Sequence, residues 1–183
     1  MHVRAATAAD AEAVRAVHYE SITGLGPAAY DDEQVQAWAQ NVPDADYEGA
    51  IEADENAFLV AVRDDESTSD EANRPGDAGP VVAFGSLTFA APEDYEAEAD
   101  AEVTGVYVHP EAARQGVGSA VLADLERRAR AGGVATLGLS ASLNAVAFYE
   151  DHGYERVRAY AHEFSAAAST GVEGTVVEMR KDL

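Results

Sequence analysis

The chain has 183 residues, 47% of them hydrophobic, which is enough for one domain with a packed core and too little for two comfortable ones. Acidic residues number 34 against 12 basic ones, a net charge of −22 that argues against nucleic acid as a partner. Zero cysteines exclude disulfides, thiolate zinc sites and a cysteine nucleophile. The five histidines (2, 18, 109, 152 and 162) fall at no metal-ligand spacing, and no apolar run suits a membrane span or a signal core. A cytoplasmic, metal-free protein with no membrane partner is expected.

In chain order, "VRAA" reads as a short strand. Thr7 and Asp10 follow at capping-box spacing, then Val14, Val17 and Ile22 at helical intervals. "YDDEQVQAWAQN" repeats the helical pattern with Asp31 as N-cap and Val35, Trp38 and Ala39 on one face. "AFLVAVR" and "VVAFGSLTFA" are strand-like and predict a hairpin. The acidic, turn-rich stretch between them, at about 64–80, reads as a mobile loop. A second acidic loop, "APEDYEAEAD", leads into the strand "AEVTGVYVHP", where Gly105 suggests a bulge and Pro110 a stop.

A helix lined by Val121, Leu122, Leu125 and Ala129 then ends at the pair Gly132-Gly133. "VATLGLSA" is a strand, and "SLNAVAFYEDHGY" a helix read as starting near Ser142 and ending at Gly153. "YERVRAYAHEF" and "TVVEMRKDL" are late strands. The strand-helix-strand unit over 103–140 implies two neighbouring parallel strands inside an otherwise antiparallel sheet. The whole chain, 1–183, reads as one mixed α/β domain.

The turn "ARQGVGS" between a strand and a helix is the chemically suggestive place. Its backbone N–H groups converge at the positive end of a helix dipole, glycines at 116 and 118 let an anion approach, and Arg114 stands at the rim. A turn needing glycine only for its dihedrals is the bland alternative. A P-loop is ruled out because no lysine follows the second glycine. A dinucleotide fingerprint is ruled out because Val121 stands where its third glycine belongs.

The stretch resembles motif A of the GCN5-related N-acetyltransferases, whose Gln/Arg-x-x-Gly-x-Gly/Ala turn binds the pyrophosphate of acetyl-CoA. It departs only in having Ala113 at the first position, with Arg114 next. "SLNAVAFYEDHGY" is similar to the family's motif B, and "YDDEQVQAWA" to an N-terminal segment of one bacterial and archaeal subgroup. The resemblance implies a mostly antiparallel sheet of six to seven strands, with a central parallel pair in the fourth and fifth strands and about four flanking helices. It implies acetyl-CoA as co-substrate, held by the main chain of Val106, Tyr107 and Val108 and by the turn from Arg114 through Gln115, Gly116, Val117 and Gly118 to Ser119. Either Asn144 or Ser142, the latter equally well explained as a helix cap, would add a contact.

The resemblance further implies Tyr149 as the acid that protonates the thiolate, the Val108 N–H as oxyanion donor, and Glu102 as a general base. Glu102 could equally be a solvated strand-end side chain, with water relaying the proton. The activity implied is acetyl transfer to a primary amine of a small molecule or protein, by a possible homodimer. Protein N-terminal acetylation of the ribosomal-protein type and a non-catalytic acyl-CoA-binding module are the alternatives. High acid content with a single lysine, Lys181, is also similar to proteins of halophilic archaea.

Overall fold

The computed structural model describes residues 1–64, 79–164 and 171–183. Strands β1 (His2–Ala5), β2 (Asn56–Val62), β3 (Val81–Thr88), β4 (Ala101–Val108), β5 (Thr136–Ser142), β6 (Glu155–Glu163) and β7 (Glu173–Asp182) form one sheet. Their spatial order is β1-β2-β3-β4-β5-β7-β6. Every neighbouring pair is antiparallel except β4 and β5, which are parallel. The helices are α1 (Ala11–Leu25), α2 (Asp32–Ala39), α3 (Tyr47–Glu52), α4 (Val117–Ala131) and α5 (Val146–Asp151). This is the expected mixed α/β sheet with a parallel fourth and fifth strand. None of the described helices is long and apolar enough to cross a membrane. The acidic stretch read as a mobile loop falls mainly on 65–78, outside the described residues.

Strand alternation divides the core in two. Along β2, Leu59 and Ala61 face the layer of α4 and α5, while Phe58, Val60 and Val62 face α1, α2 and α3. Both faces being covered explains why this strand reads as a continuous apolar run. The caps follow the sequence: Asp31 accepts from the Gln34 N–H at 2.9 Å and Gln34 reaches back to the Asp31 N–H at 3.1 Å. Gly132 and Gly133 close α4, the latter at φ +82°.

Two readings of local structure are corrected. The short helix α3, absent from the sequence reading, forms because Asp46 caps it by accepting from the Gly49 N–H at 2.9 Å and Tyr47 buries its ring. Ser142 is not a helix cap. It is the last residue of β5, paired with Val176 of β7, and α5 starts at Val146 with Ala145 in the capping position. A turn over 143–145 separates them, held by the Tyr30 hydroxyl, which accepts from the Leu143 N–H at 2.9 Å. The same hydroxyl donates to the Thr175 carbonyl at 2.7 Å. Ladder pairing with β7 outcompetes local capping at Ser142.

Tyr30 is buried, so Tyr30→Phe would leave a carbonyl and an N–H without partner between α2, β5 and β7. A loss of about 1–3 kcal/mol is expected in urea unfolding, with the turn after β5 loosened in hydrogen exchange. Unchanged stability would show that water replaces the hydroxyl.

Candidate active site

The strands β4 and β5 pair only through Ala101 with Leu137 and Glu102 with Gly138, then part. Alternation defines what the parted edge presents. The His109 N–H donates to the Val82 carbonyl at 2.9 Å, so Tyr107 directs its backbone groups to β3 and the N–H groups of Val106 and Val108 face the gap.

A bulge lies within β4. Ser86 pairs with Gly105 while Leu87 pairs with Val103, leaving Thr104 as the extra residue, next to the Gly105 read as a bulge marker. The bulge inverts the side-chain alternation: Ala101 and Val103 before it, and Val106 and Val108 after it, all pack toward α4, whereas Tyr107 turns to the opposite face. Its ring lies over Gly105, where an added Cβ would come within 2.4 Å of it.

A cavity of about 530 Å³ runs through this gap. On the α1–α3 side it is walled by His18 of α1, Trp38 of α2, Tyr47 of α3, Tyr107, and Phe164 after β6. Tyr149 of α5 closes it from the other side. Toward the paired end of the strands stand Glu102, Asp94 and Tyr95, followed by Ser140 and Tyr160.

Four hydroxyl and carboxyl groups join in series there. The Tyr95 hydroxyl donates to Glu102 Oε1 at 2.6 Å and lies 3.2 Å from Ser140 Oγ, which is 2.7 Å from the Tyr160 hydroxyl. Burial raises the Glu102 pKa above the usual carboxylate range. The hydrogen bond from Tyr95 opposes that and the charge of Asp94 adds to it.

The loop carrying Asp94 and Tyr95 is acidic yet well anchored. Glu178, only 1% exposed, accepts the Ala97 N–H at 2.9 Å and Arg158 Nε at 2.7 Å, and Arg158 also donates to the Asp94 carbonyl at 2.7 Å. Burial pushes the Glu178 pKa up, but the N–H groups of Ala97 and Glu96 and the guanidinium outweigh it and hold the group below its usual range.

Tyr149 is buried against Phe148 and Tyr154. Burial raises its pKa, the neighbouring Tyr107 raises it further, and the N–H of Val106 pulls it back. The phenol is therefore protonated at any working pH and is a weaker acid than an exposed tyrosine.

At the other end of β4 the glycine turn has the expected backbone. Gly116 is the N-cap of α4 at φ +79°, Arg114 is left-handed at φ 61°, and a Cβ at Gly116 would meet nothing within 4 Å. The N–H groups of Val117, Gly118 and Ser119 lie in the first turn, where the helix offers them no acceptor. Gly118 serves packing as well, since an added Cβ would lie 3.3 Å from Val108 and 3.5 Å from Phe148. Arg114 is exposed, and Gln115 folds back to donate to the Glu111 carbonyl at 2.7 Å. A helix start whose first N–H groups the helix leaves without acceptors, at the end of the strand whose Val106 and Tyr107 line the cavity, fits a pyrophosphate joined to an extended arm.

Asn144 is exposed, donates to the Leu25 carbonyl at 3.4 Å, and is not among the residues lining the cavity; Ser142 is. His109 is held by Glu20 at 2.7 Å, and His152 by the Phe148 carbonyl at 2.7 Å.

Sequence reasoning missed His18, Tyr95, Ser140 and Tyr160. A histidine inside the apolar stripe of Val14, Val17 and Ile22 was one available signal, and a lone aromatic in the acidic loop was another. His18 packs 4.0 Å from the Tyr107 ring centre, its Nδ1 meets the Tyr47 hydroxyl, and its buried Nε2 has no partner among the described residues.

A sequence profile described as the acetyltransferase (GNAT) family matches residues 19–154. The chain belongs to that family, whose acyl donor is acetyl-CoA. Among solved structures, a GCN5-related N-acetyltransferase from Rhodopseudomonas palustris is 24% identical with TM-score 0.73, covering 100% of this chain and 95% of that one. The PaiA N-acetyltransferase of Thermoplasma acidophilum, in complex with coenzyme A, is 18% identical with TM-score 0.70, covering 100% and 98%. A ribosomal-protein-alanine N-acetyltransferase from Brucella melitensis is 22% identical with TM-score 0.61, covering 100% of both chains. At these identities the likeness is one of fold. No curated protein matches by sequence.

Burial pushes the His18 pKa down to about 4. Because the folded value lies below the unfolded one of about 6.5, stability is full above that pH and falls as pH drops toward 4, by about 1.4 kcal/mol per unit. The melting temperature of the wild type should therefore fall faster than that of His18→Gln between those pH values. Parallel slopes would show that His18 is not held neutral.

Proposed function

We propose that this chain transfers the acetyl group of acetyl-CoA to a primary amine, with Glu102 as general base and Tyr149 as general acid. One observation carries the reading: a half-buried carboxylate with a raised pKa and a buried phenol face a single cavity across the gap between β4 and β5. Acetyl-CoA, when bound, supplies a thioester activated toward amines.

The residues assigned to hold it are the N–H groups of Val117, Gly118 and Ser119 for the pyrophosphate and the exposed edge of Val106 to Val108 for the arm, with Arg114 adding charge at the rim. Ser142, which lines the cavity, is favoured over Asn144 as a further contact. Glu102 takes the proton that leaves the substrate ammonium, directly or through one water, so that a neutral nitrogen attacks the thioester carbon. The Val108 N–H meets the negative charge that builds on the carbonyl oxygen as the carbon–nitrogen bond forms. As the carbon–sulfur bond breaks, the Tyr149 hydroxyl gives its proton to sulfur, and the second proton, lost by the nitrogen as it becomes an amide, restores the phenol by way of solvent. A deep pKa keeps that proton in place until the thiolate departs.

Acetyl-CoA at a hundredfold excess over Kd should stabilise the fold by about 2.7 kcal/mol, seen as a raised melting temperature. Gly116→Ala, forced into a left-handed backbone, should weaken that shift; an undiminished shift would refute the pyrophosphate cradle. Tyr149→Phe should leave the shift intact and lower kcat by roughly 10² to 10⁴.

Glu102→Gln separates chemistry from stability. A carboxylate whose folded pKa is raised contributes stability only at low pH, and loses it as pH rises through the folded value. The variant should melt higher than wild type at pH 7 while kcat/KM falls, recovering partly at alkaline pH where the amine is already neutral. A drop in both stability and activity at every pH would mark Glu102 as structural.

A further inference from the structure

The cavity that would receive the amine has two chemically different ends. At one end Glu102 and Asp94 stand close enough for the charge of Asp94 to act on Glu102. Among the described residues the one hydrogen bond on the Glu102 carboxylate is at Oε1, from Tyr95, which leaves Oε2 for an incoming N–H. The Tyr95, Ser140 and Tyr160 hydroxyls run in series behind it and hold the carboxylate oriented.

At the other end the lining is aromatic. Trp38 stacks on Phe164 at 5.4 Å and 11°, and meets Tyr107 edge-on at 6.5 Å, with Tyr47 and His18 completing the wall. Such a surface favours a flat apolar body and offers ring faces to a cation, with Asn41 and His162 as the further polar groups of the lining.

Charge decides between classes of amine. An amino acid would bring its carboxylate, bonded to the carbon next to the nitrogen, up against Glu102 and the more exposed Asp94, where like charges at short range disfavour it. Arg158, on the neighbouring strand β6, does not offset this. Its guanidinium is engaged by Glu178 and the Asp94 carbonyl and lies over the Tyr160 ring at 4.9 Å. A polyamine would find both carboxylates at one end and rings at the other.

We infer that the acceptor is a primary amine carried on an aromatic body and free of acidic groups, its ammonium at Glu102 and its ring against the wall formed by Trp38, Tyr107 and Phe164. This rests on the acetyl-transfer reading.

The test is CoA release from acetyl-CoA with tryptamine and phenethylamine, set against tryptophan, phenylalanine, spermidine and a peptide with a free N-terminal alanine. The arylalkylamines should exceed their amino-acid counterparts by roughly a hundredfold in kcat/KM. Asp94→Asn should narrow that gap by about fivefold through better use of tryptophan, because it removes one of the repelling charges. Tryptophan equal to tryptamine, a preference for spermidine or the peptide, or a gap unmoved by Asp94→Asn would each overturn the proposed class while leaving acetyl transfer standing. No CoA release with any amine would overturn acetyl transfer itself.

Discussion

Two strands that begin as partners and then separate make the rest of this molecule possible. After Ala101 and Glu102, β4 has no ladder partner on its β5 side, so its N–H groups at Val106 and Val108 face the gap, where the Tyr149 hydroxyl takes up that of Val106. Unpaired backbone polar groups in a protein interior cost free energy unless something satisfies them. The sheet is held together around the opening instead: β5 is paired with β7 along its whole length, and Tyr30 fixes the turn beyond it. The bulge at Thr104 is the second half of the same arrangement. Without it Tyr107 would point toward α4 and the aromatic wall would lose its centre.

The acids divide into two populations with opposite physics. Most are exposed and add to the long-range field of a strongly negative protein. A few are buried or half-buried and each has a definite environment. Glu178 is charged because N–H groups and Arg158 make it so, and it ties an otherwise unstructured acidic loop to β6 and β7. Glu102 is left with one hydroxyl partner and a raised pKa, the condition of a group kept for proton transfer. The same loop links them, since Tyr95 reaches Glu102 only because Arg158 and Glu178 hold the residues around it.

Much of this was legible in the letters. The glycine turn, the helix it opens, the capping pairs at Thr7 and Asp31 and the tyrosine of α5 depend on residues close in sequence, and local chemistry determines them. What depended on distant pairing was hidden. Ser142 looks like a cap because serine before a helix usually is one; the partner that makes it extended, Val176, lies far along the chain. Tyr95 sits in a stretch whose composition reads as solvated loop, and nothing nearby announces that Glu178 will collect it. His18 is half a turn from solvent on a helical wheel and enters the cavity because Tyr47 and Tyr107 meet there.

Lys181 is the one lysine of the sequence, and its ammonium is enclosed: Glu126 accepts from it at 2.7 Å, the Tyr154 ring lies 5.3 Å away, and the side chain is 18% exposed. An enzyme that works beside a reactive thioester is surrounded by a reagent able to modify any free amine in reach. This chain presents no such side chain on its surface, its basic positions there being arginines. Its side chains therefore offer an acyl donor one enclosed amine, and lysine-directed labels or crosslinkers will find little to hold on the folded protein.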